Sequence, residues 1–377
     1  MTEKNTAADC VVIGAGIAGA SVAAELAAHY RVVLLERETH PGYHTTGRSA
    51  AVYTQSYGPP VIRALTRASG DFFHTTESPF LEHPLLQSRG ALFIARDDQA
   101  DTLMSLETEL KGAATRLTAN EVTSRHPLLR AGYANAGLWD DSAADIDVYG
   151  LHQHYLKLLR SLGAALVTKA EVTGMAHSGN WQVETTAGTF NAPIVVNAAG
   201  AWGDQLAQLA GLKAVGLTPK RRTALVVQGP DGAQVNDWSM VVDVDEQFYL
   251  KPDAGKLLIS PADATPSPPC DAQPDEMDVA ICIDRIERAF DLQVRRIENK
   301  WAGLRSFLPD CTPMADFDPD ATGFFWLVGQ GGYGIQSAPA LARTAAALVR
   351  SQDIPGDIAD QGVTVQCLSH PARKHAA

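Results

Sequence analysis

Cysteine is scarce in this chain. Five thiols, Cys10, Cys270, Cys282, Cys311 and Cys367, are scattered over 377 residues with no CxxC spacing, which excludes a disulfide framework and a thiolate zinc site. Reduced thiols in a cytoplasm-like compartment are expected, with no metal. Basic residues are outnumbered, 31 Lys plus Arg against 43 Asp plus Glu, for a net charge of −12. No Lys/Arg run interleaves with aromatics, so nucleic acid is not an expected partner. No apolar run is long enough to span a bilayer, and the polar start MTEKNTAADC reads as neither signal peptide nor anchor, although amphipathic membrane contact stays open. There is no internal repeat and no low-complexity segment.

What is present is the composition of an ordinary soluble enzyme, 45% hydrophobic and 20% charged. The length is great for a single core, so two domains or one bilobed unit are expected. The stretch Val11 to Glu36, VVIGAGIAGASVAAELAAHYRVVLLE, reads as strand, glycine turn, helix, strand. Gly14 permits the sharp turn, Gly16 the approach of backbone to a pyrophosphate and Gly19 close packing of helix on sheet. The helix N-terminus, at Ile17 and Ala18, offers N–H groups to phosphate. Glu36, followed by Arg37, closes the second strand twenty residues after Gly16 and suits a ribose hydroxyl pair. The motif alone does not choose between NAD and FAD.

Past Pro41 and Gly42 comes a run of small and hydroxylated residues, Thr45, Thr46, Gly47, Arg48 and Ser49, able to lie along a flat ligand. Further on, Ile62, Leu65, Ala68 and Phe72 have helical spacing over Val61 to Phe73, GALFIA reads as a strand, and Thr118 to Glu121 has capping-box spacing. Asp147 caps a helix ended by Gly163. On it, His152 and His154 point to different faces and do not form a metal pair. A meander from Ala165 returns through Ile194 to Asn197 into the turn NAAGAWG. Leu217 to Pro261 reads as mostly antiparallel strands, Ala262 to Glu276 as a Pro-rich surface loop and Met277 to Phe290 as a helix. Then FFWLVGQGGYGIQ gives a second strand, glycine cluster and helix start, before an Ala-rich helix from Ala338 to Ser351 and a frayed tail, HPARKHAA.

The GAGIAGAS turn, the Glu closing the second strand, PGYHTTGRSAA and QGGYGIQ together resemble the FAD-dependent D-amino acid oxidase and dehydrogenase family, most strongly its D-arginine dehydrogenase branch. The resemblance implies an α/β fold: an FAD-binding Rossmann-like domain from 1–60, 145–215 and 306–377, and a discontinuous, mostly antiparallel β-sheet substrate domain from 61–144 and 216–305. It implies FAD contacts at Gly14, Gly16, Ile17, Ala18, Gly19, Glu36, Arg37, Thr45, Thr46, Arg48, Ser49, Ala50, Ala51, Val172, Ala199, Gly200, Trp202, Arg305, Gly331, Gly332, Tyr333, Gly334, Ile335 and Gln336. Noncovalent FAD is favoured, since Cys311 does not match an attachment position and His44 matches it weakly.

A carboxylate clamp calls for arginine, whose planar fork binds it bidentately. Arg222 and Arg305 are expected in that role with the hydroxyls of Tyr57 and Tyr249; read alone, the two arginines would be salt-bridge residues. The substrate pocket is assigned to Val52, Thr54, Ala91, Met240, Val242 and Gly332. The resembled branch has Glu where this chain has Ala91 and His where it has Val52. A cationic side chain would then lack its buried counter-charge, a loss of about 3–5 kcal/mol, so neutral or apolar D-amino acids are expected over D-Arg. The implied reaction is hydride transfer from Cα to flavin N5, then hydrolysis of the imino acid to a 2-oxo acid and ammonia, with a quinone-type acceptor or dioxygen reoxidising the flavin. With no His at Val52, activity is expected to rise with pH. An oxidase of N-methyl or other secondary amines, and a catalytically silent flavin-binding subunit, are the alternatives.

Overall fold

The computed structural model describes residues 5–75 and 77–374. Its nucleotide side is built on a six-stranded sheet in the order Ala165–Val167, Val32–Leu35, Cys10–Ile13, Ile194–Asn197, Phe324–Val328, Met314–Phe317. All neighbours are parallel except the last pair. Such a sheet is covered on both faces, and its strands read as unbroken apolar runs. Successive residues feed opposite cores. Val12, Val32 and Leu34 pack under the helices Ile17–Ala27, Val148–Ser161 and Gly334–Val349, whereas Val11, Ile13, Val33 and Leu35 pack toward Trp181, Val183 and Phe190 of an antiparallel meander.

The second large sheet has eight strands, in the order Ile297–Phe307, Thr218–Val227, Lys256–Ser260, Tyr249–Asp253, Met240–Asp243, Ala91–Ala95, Ala136–Asp140, Thr115–Thr118. Only the pairing of Met240–Asp243 with Ala91–Ala95 is parallel. Its two faces differ in volume. Leu92, Ile94, Leu225, Val241, Leu250 and Ile259 pack on one face against the helix Glu276–Ala289. The other face presents Ala91, Phe93, Ala224, Val242 and Tyr249. Small residues there leave room, and the cavity described below opens over that face. A third, small sheet joins Val52–Tyr53, Ala144–Ile146 and Leu86–Ser88.

Several local expectations are met as read: the Thr118–Glu121 capping box and the Asp147 cap are both present. Others differ. The helical pattern from Val61 to Phe73 is two helices, Pro60–Ala68 and Gly70–Thr75. Ser69 separates them because its hydroxyl turns back to Leu65 O and accepts from Ala340 N, at 2.8 and 3.1 Å. The Ala-rich helix begins earlier, at Gly334, with Tyr333 as its N-cap. The tail expected to fray holds a short helix, Pro371–Lys374, while residues 375–377 lie outside the described residues. No described helix is long and apolar enough to cross a membrane, and no described group of three or more His, Cys, Asp or Glu is placed to hold a metal ion.

Candidate active site

The first glycine turn is shaped by close approach. Gly14 has φ +100°, and a Cβ there would stand 2.5 Å from Ala198 O. A Cβ on Gly19 would meet Gly14 O at 1.8 Å, so this glycine packs helix against turn and does not line the cavity. Glu36, buried at the end of its strand, accepts from Ala15 N and Glu38 N, both at 2.9 Å. Thr46 Oγ1 accepts from Ile17 N at 2.9 Å, and Thr45 Oγ1 donates to Leu304 O at 2.8 Å. The loop after Glu36 is thereby tied to both the helix N-terminus and the eight-stranded sheet.

Between the two sheets runs a cavity of about 330 Å³. One end is formed by Glu36, Arg37, Val172 and Trp202, and the walls by Gly14, Gly16, Ile17, Ala18, Thr45, Thr46, Arg48, Ala199 and Gly200. The other end reaches Arg305, Gly331, Gly332, Gly334 and Ile335. A second cavity of about 70 Å³ shares Ser49, Ala50, Arg222, Tyr249, Arg305, Gly332 and Ile335 with it. Val52, Thr54, Tyr57, Ala91, Met240 and Val242 line this second space. A glycine turn at a helix N-terminus, a buried carboxylate and a second glycine cluster, all in the wall of one cavity, fit a dinucleotide. So do the buried Ser306 Oγ and Gln330 Nε2, which lack hydrogen-bond partners and belong to wall residues near the far end.

Besides Gly19, three assigned cofactor contacts lie outside the larger cavity. Ala51 and Gln336 line the smaller cavity and not the larger. Tyr333 lines neither; its ring packs edge-on against Tyr57, with centroids 5.1 Å apart, behind the pocket wall. Arg48 lines the large cavity, but its guanidinium donates to Ala272 O and Ala302 O and pairs with Asp271, holding Asp271 below the usual carboxylate range. Its charge is thus spent on tying the Pro-rich loop to the sheet. His44, the weak attachment position, pairs with Glu38 at 2.9 Å and packs against Trp202 at the glutamate end.

The four residues expected to handle substrate meet where the cavities join. Gly332 lies against the Arg305 guanidinium so closely that a Cβ would stand 2.8 Å from Cζ. Burial works against the Arg305 charge, but the oxygens of Tyr57, Tyr249 and Glu246 outweigh it and hold its pKa above the usual value. Burial pushes the Tyr57 phenol up, with Arg305 pulling it back, so at neutral pH it is a proton-bearing donor. Arg222 Nε is buried without a partner, and its NH2 lies 3.6 Å from Glu246. Thr54 Oγ1 donates to the fully buried Asp140 at 2.7 Å, which fixes that corner of the pocket.

Sequence reading missed Glu246, Phe93, Phe248 and Ala262, all of which line the smaller cavity. Glu246 sits in the turn between Met240–Asp243 and Tyr249–Asp253 with φ +54°. Buried Asp243 holds this turn by accepting from Asp245 N and Gln247 N. The available signal was an acidic hairpin turn, VDVDEQ, one residue short of the tyrosine already singled out.

A family model described as FAD dependent oxidoreductase matches residues 9–348. The chain belongs to this family. Its cofactor is FAD, which the geometry above accommodates. Glycine oxidase of Geobacillus kaustophilus is 24% identical over 371 residues, covering 94% of this chain and 96% of that protein. Human mitochondrial sarcosine dehydrogenase is 26% identical, with 84% of this chain matching only 37% of that protein. This chain thus spans well under half of that relative. The crystal structure of the Geobacillus glycine oxidase superposes with a TM-score of 0.81 over 92% of this chain and 96% of that one, at 23% identity. Iminodiacetate oxidase from Chelativorans sp. BNC1 gives 0.80 over 96% and 98%, at 21% identity. These structural likenesses show the fold, D-amino acid oxidase-like, and the relatives support the family without singling out the D-arginine dehydrogenase branch.

Proposed function

We propose that the protein oxidises the C–N bond of a small amino acid with a neutral side chain, a D-amino acid in the first instance, to the imino acid, which hydrolyses to a 2-oxo acid and ammonia. The observation that carries this reading is the convergence of Arg222, Arg305, Tyr57 and Tyr249 at the junction of the two cavities. Two guanidinium groups and a neutral phenol in a partly dry site make a strong carboxylate receptor. Beyond it lie Val52, Ala91, Phe93, Met240, Val242 and Phe248, an apolar compartment. A water needs about 10–15 Å³ of such space, so about 70 Å³ takes a side chain of a few heavy atoms.

When bound, FAD supplies acceptance of the hydride released from the substrate carbon. The chain's part is positional. Arg222 and Arg305 hold the carboxylate, Gly332 allows Arg305 to lie flat, and the packed walls keep water from the reacting carbon. Among the described residues no histidine lines the small cavity, so the neutral amine is taken from solution and turnover rises with pH through the substrate's own ionisation. FAD is held without a covalent bond, by the 1–60, 145–215 and 306–377 segments, while 61–144 and 216–305 supply the substrate domain. The free thiols fit a cytoplasm-like compartment, and the electron acceptor is a quinone-type compound or dioxygen.

A second reading, oxidation of an N-methyl or other secondary amino acid, is supported by relatives named for sarcosine and iminodiacetate. It also fits Glu246, whose carboxylate can receive a secondary ammonium at the cavity wall. Anaerobic mixing of the yellow protein with D- and L-amino acids, D-Arg and sarcosine tests both. Bleaching by neutral D-amino acids, with D-Arg poor, is the expected result; D-Arg as the best reductant would overturn the neutral-substrate reading, and sarcosine as the best would install the second.

A further inference from the structure

The strand Thr218–Val227 carries Arg222, and its two edges are held by different means. On one edge Arg222 and Ala224 lie opposite Gly303 and Trp301 in a continuous ladder. On the other, the ladder with Lys256–Ser260 covers only Leu225–Val227. It stops there because Pro261 brings no N–H to the next rung and Ala262 turns left-handed, with φ +52°. Backbone contact resumes only at Arg221, whose N–H donates to Thr265 O at 2.8 Å. Thr223, between the two, faces a gap on that edge.

Side chains fill it. Thr223 N donates to Asp263 Oδ1 at 2.6 Å, and the Thr223 hydroxyl donates to Oδ2 at 3.1 Å. The Ser260 hydroxyl donates to Thr223 O at 2.5 Å and accepts from Ala262 N at 3.1 Å. Thr223 and Ser260 are fully buried, where an unmet backbone group would be costly. Asp263 also receives Arg221 Nε at 3.4 Å, and Arg221 reaches Asp278 at 2.7 Å on the outer side. Strand alternation then sends Arg222 to the cavity face. Bulges beside binding sites re-aim side chains in this way. Here the re-aimed group is a guanidinium whose buried Nε has no hydrogen-bond partner among the described residues.

We propose that Ser260 and Asp263 form a side-chain splice that positions Arg222 for the substrate carboxylate. The proposal rests on the reading of Arg222 as a carboxylate partner. Asp263 and Ser260 touch neither cavity, so they are positioning residues. Misplacing a binding group by about 1 Å is enough to cost up to about 10²-fold.

The test is calorimetric titration of the FAD-loaded protein with 3-methylbutanoate and with its uncharged amide. Arg222→Met examines the underlying reading first: it is expected to weaken the carboxylate at least about 30-fold more than the amide, and equal effects would overturn that reading. Given that result, Asp263→Ala is expected to weaken the carboxylate about tenfold and the amide less than twofold. Asp263→Asn, which keeps an acceptor for Thr223 N, is expected to stay within about threefold of the parent. An unchanged carboxylate affinity, or equal loss for both probes, overturns the splice proposal. Should Asp263→Ala not fold, Ser260→Ala makes the same comparison, with about fivefold selective loss expected and a null or unselective effect overturning it.

Discussion

The six-stranded parallel sheet and the eight-stranded antiparallel sheet border one cavity and contribute to it differently. The parallel sheet borders it through its strand ends: Gly14, Gly16 and Ala199 present backbone to the cavity, and Glu36 sits at the end of a neighbouring strand. The antiparallel sheet acts through one face, where Arg222, Tyr249, Val242 and Ala91 project from four different strands. Backbone recognition tolerates almost no added atom. Side-chain recognition tolerates exchange, so the second sheet is the one on which substrate preference can change while the fold is kept.

The comparison breaks most sharply at Gly14. Gly14→Val adds a side chain at φ +100° against Ala198 O, and the purified variant is expected to carry no FAD, read from the absorbance ratio of flavin to protein. On the opposite sheet, Arg222→Met should leave FAD content unchanged and lower kcat/KM by about 10²- to 10³-fold, the scale of a lost buried ionic partner. If Arg222→Met loses FAD as Gly14→Val does, the division of labour between the sheets is wrong. A smaller change sharpens it: Ala91→Glu places a carboxylate in the apolar compartment and is expected to raise the kcat/KM ratio of D-Arg to D-Leu at least about tenfold, measured by steady-state kinetics.

The smallest expected effect concerns stability. His126 is buried beneath the outer face of the antiparallel sheet against Trp238 and Phe290, and burial lowers its pKa from 6.5 to about 4. The native state therefore takes up this proton at lower pH than the unfolded chain does. Stability is full above pH 6.5, falls by up to about 1.4 kcal/mol per pH unit as pH drops toward 4, and levels off below. His152 and His154, buried on the parallel side, are shifted in the same direction by the same cause. His126→Phe should flatten part of this acid slope in urea midpoints measured between pH 4.5 and 7.5, and an unaltered slope would remove His126 from the account.

Legibility in the sequence divides along the same line. The glycine turn, its flanking strands and Glu36 are consecutive, so spacing alone located them, and the family pattern extended this to the Gly331 turn. The side chains on the antiparallel face meet only through register. Ala91 and Met240 are 149 positions apart yet adjacent in the parallel pairing of their strands. No local period reports that. Glu246 escaped for a second reason: its left-handed turn is held by Asp243, a buried carboxylate whose role is invisible until Gln99 and Arg96 are seen to converge on it. Arg48 lines the large cavity as its place in the loop suggests, but two segments distant in sequence, at Asp271–Ala272 and at Ala302, hold its guanidinium. The break at Ser69 depended likewise on a hydrogen bond from Ala340, 271 positions away.

The central claim, that this site selects an amine by the carboxylate it carries, is tested most directly by anaerobic flavin reduction with D-leucine and with D-leucinamide. The wild-type protein is expected to be reduced at least about 100-fold faster, in kred/Kd, by the acid than by the amide, and Arg222→Met should erase most of that difference. Equal reduction by both compounds in the wild type would contradict the account.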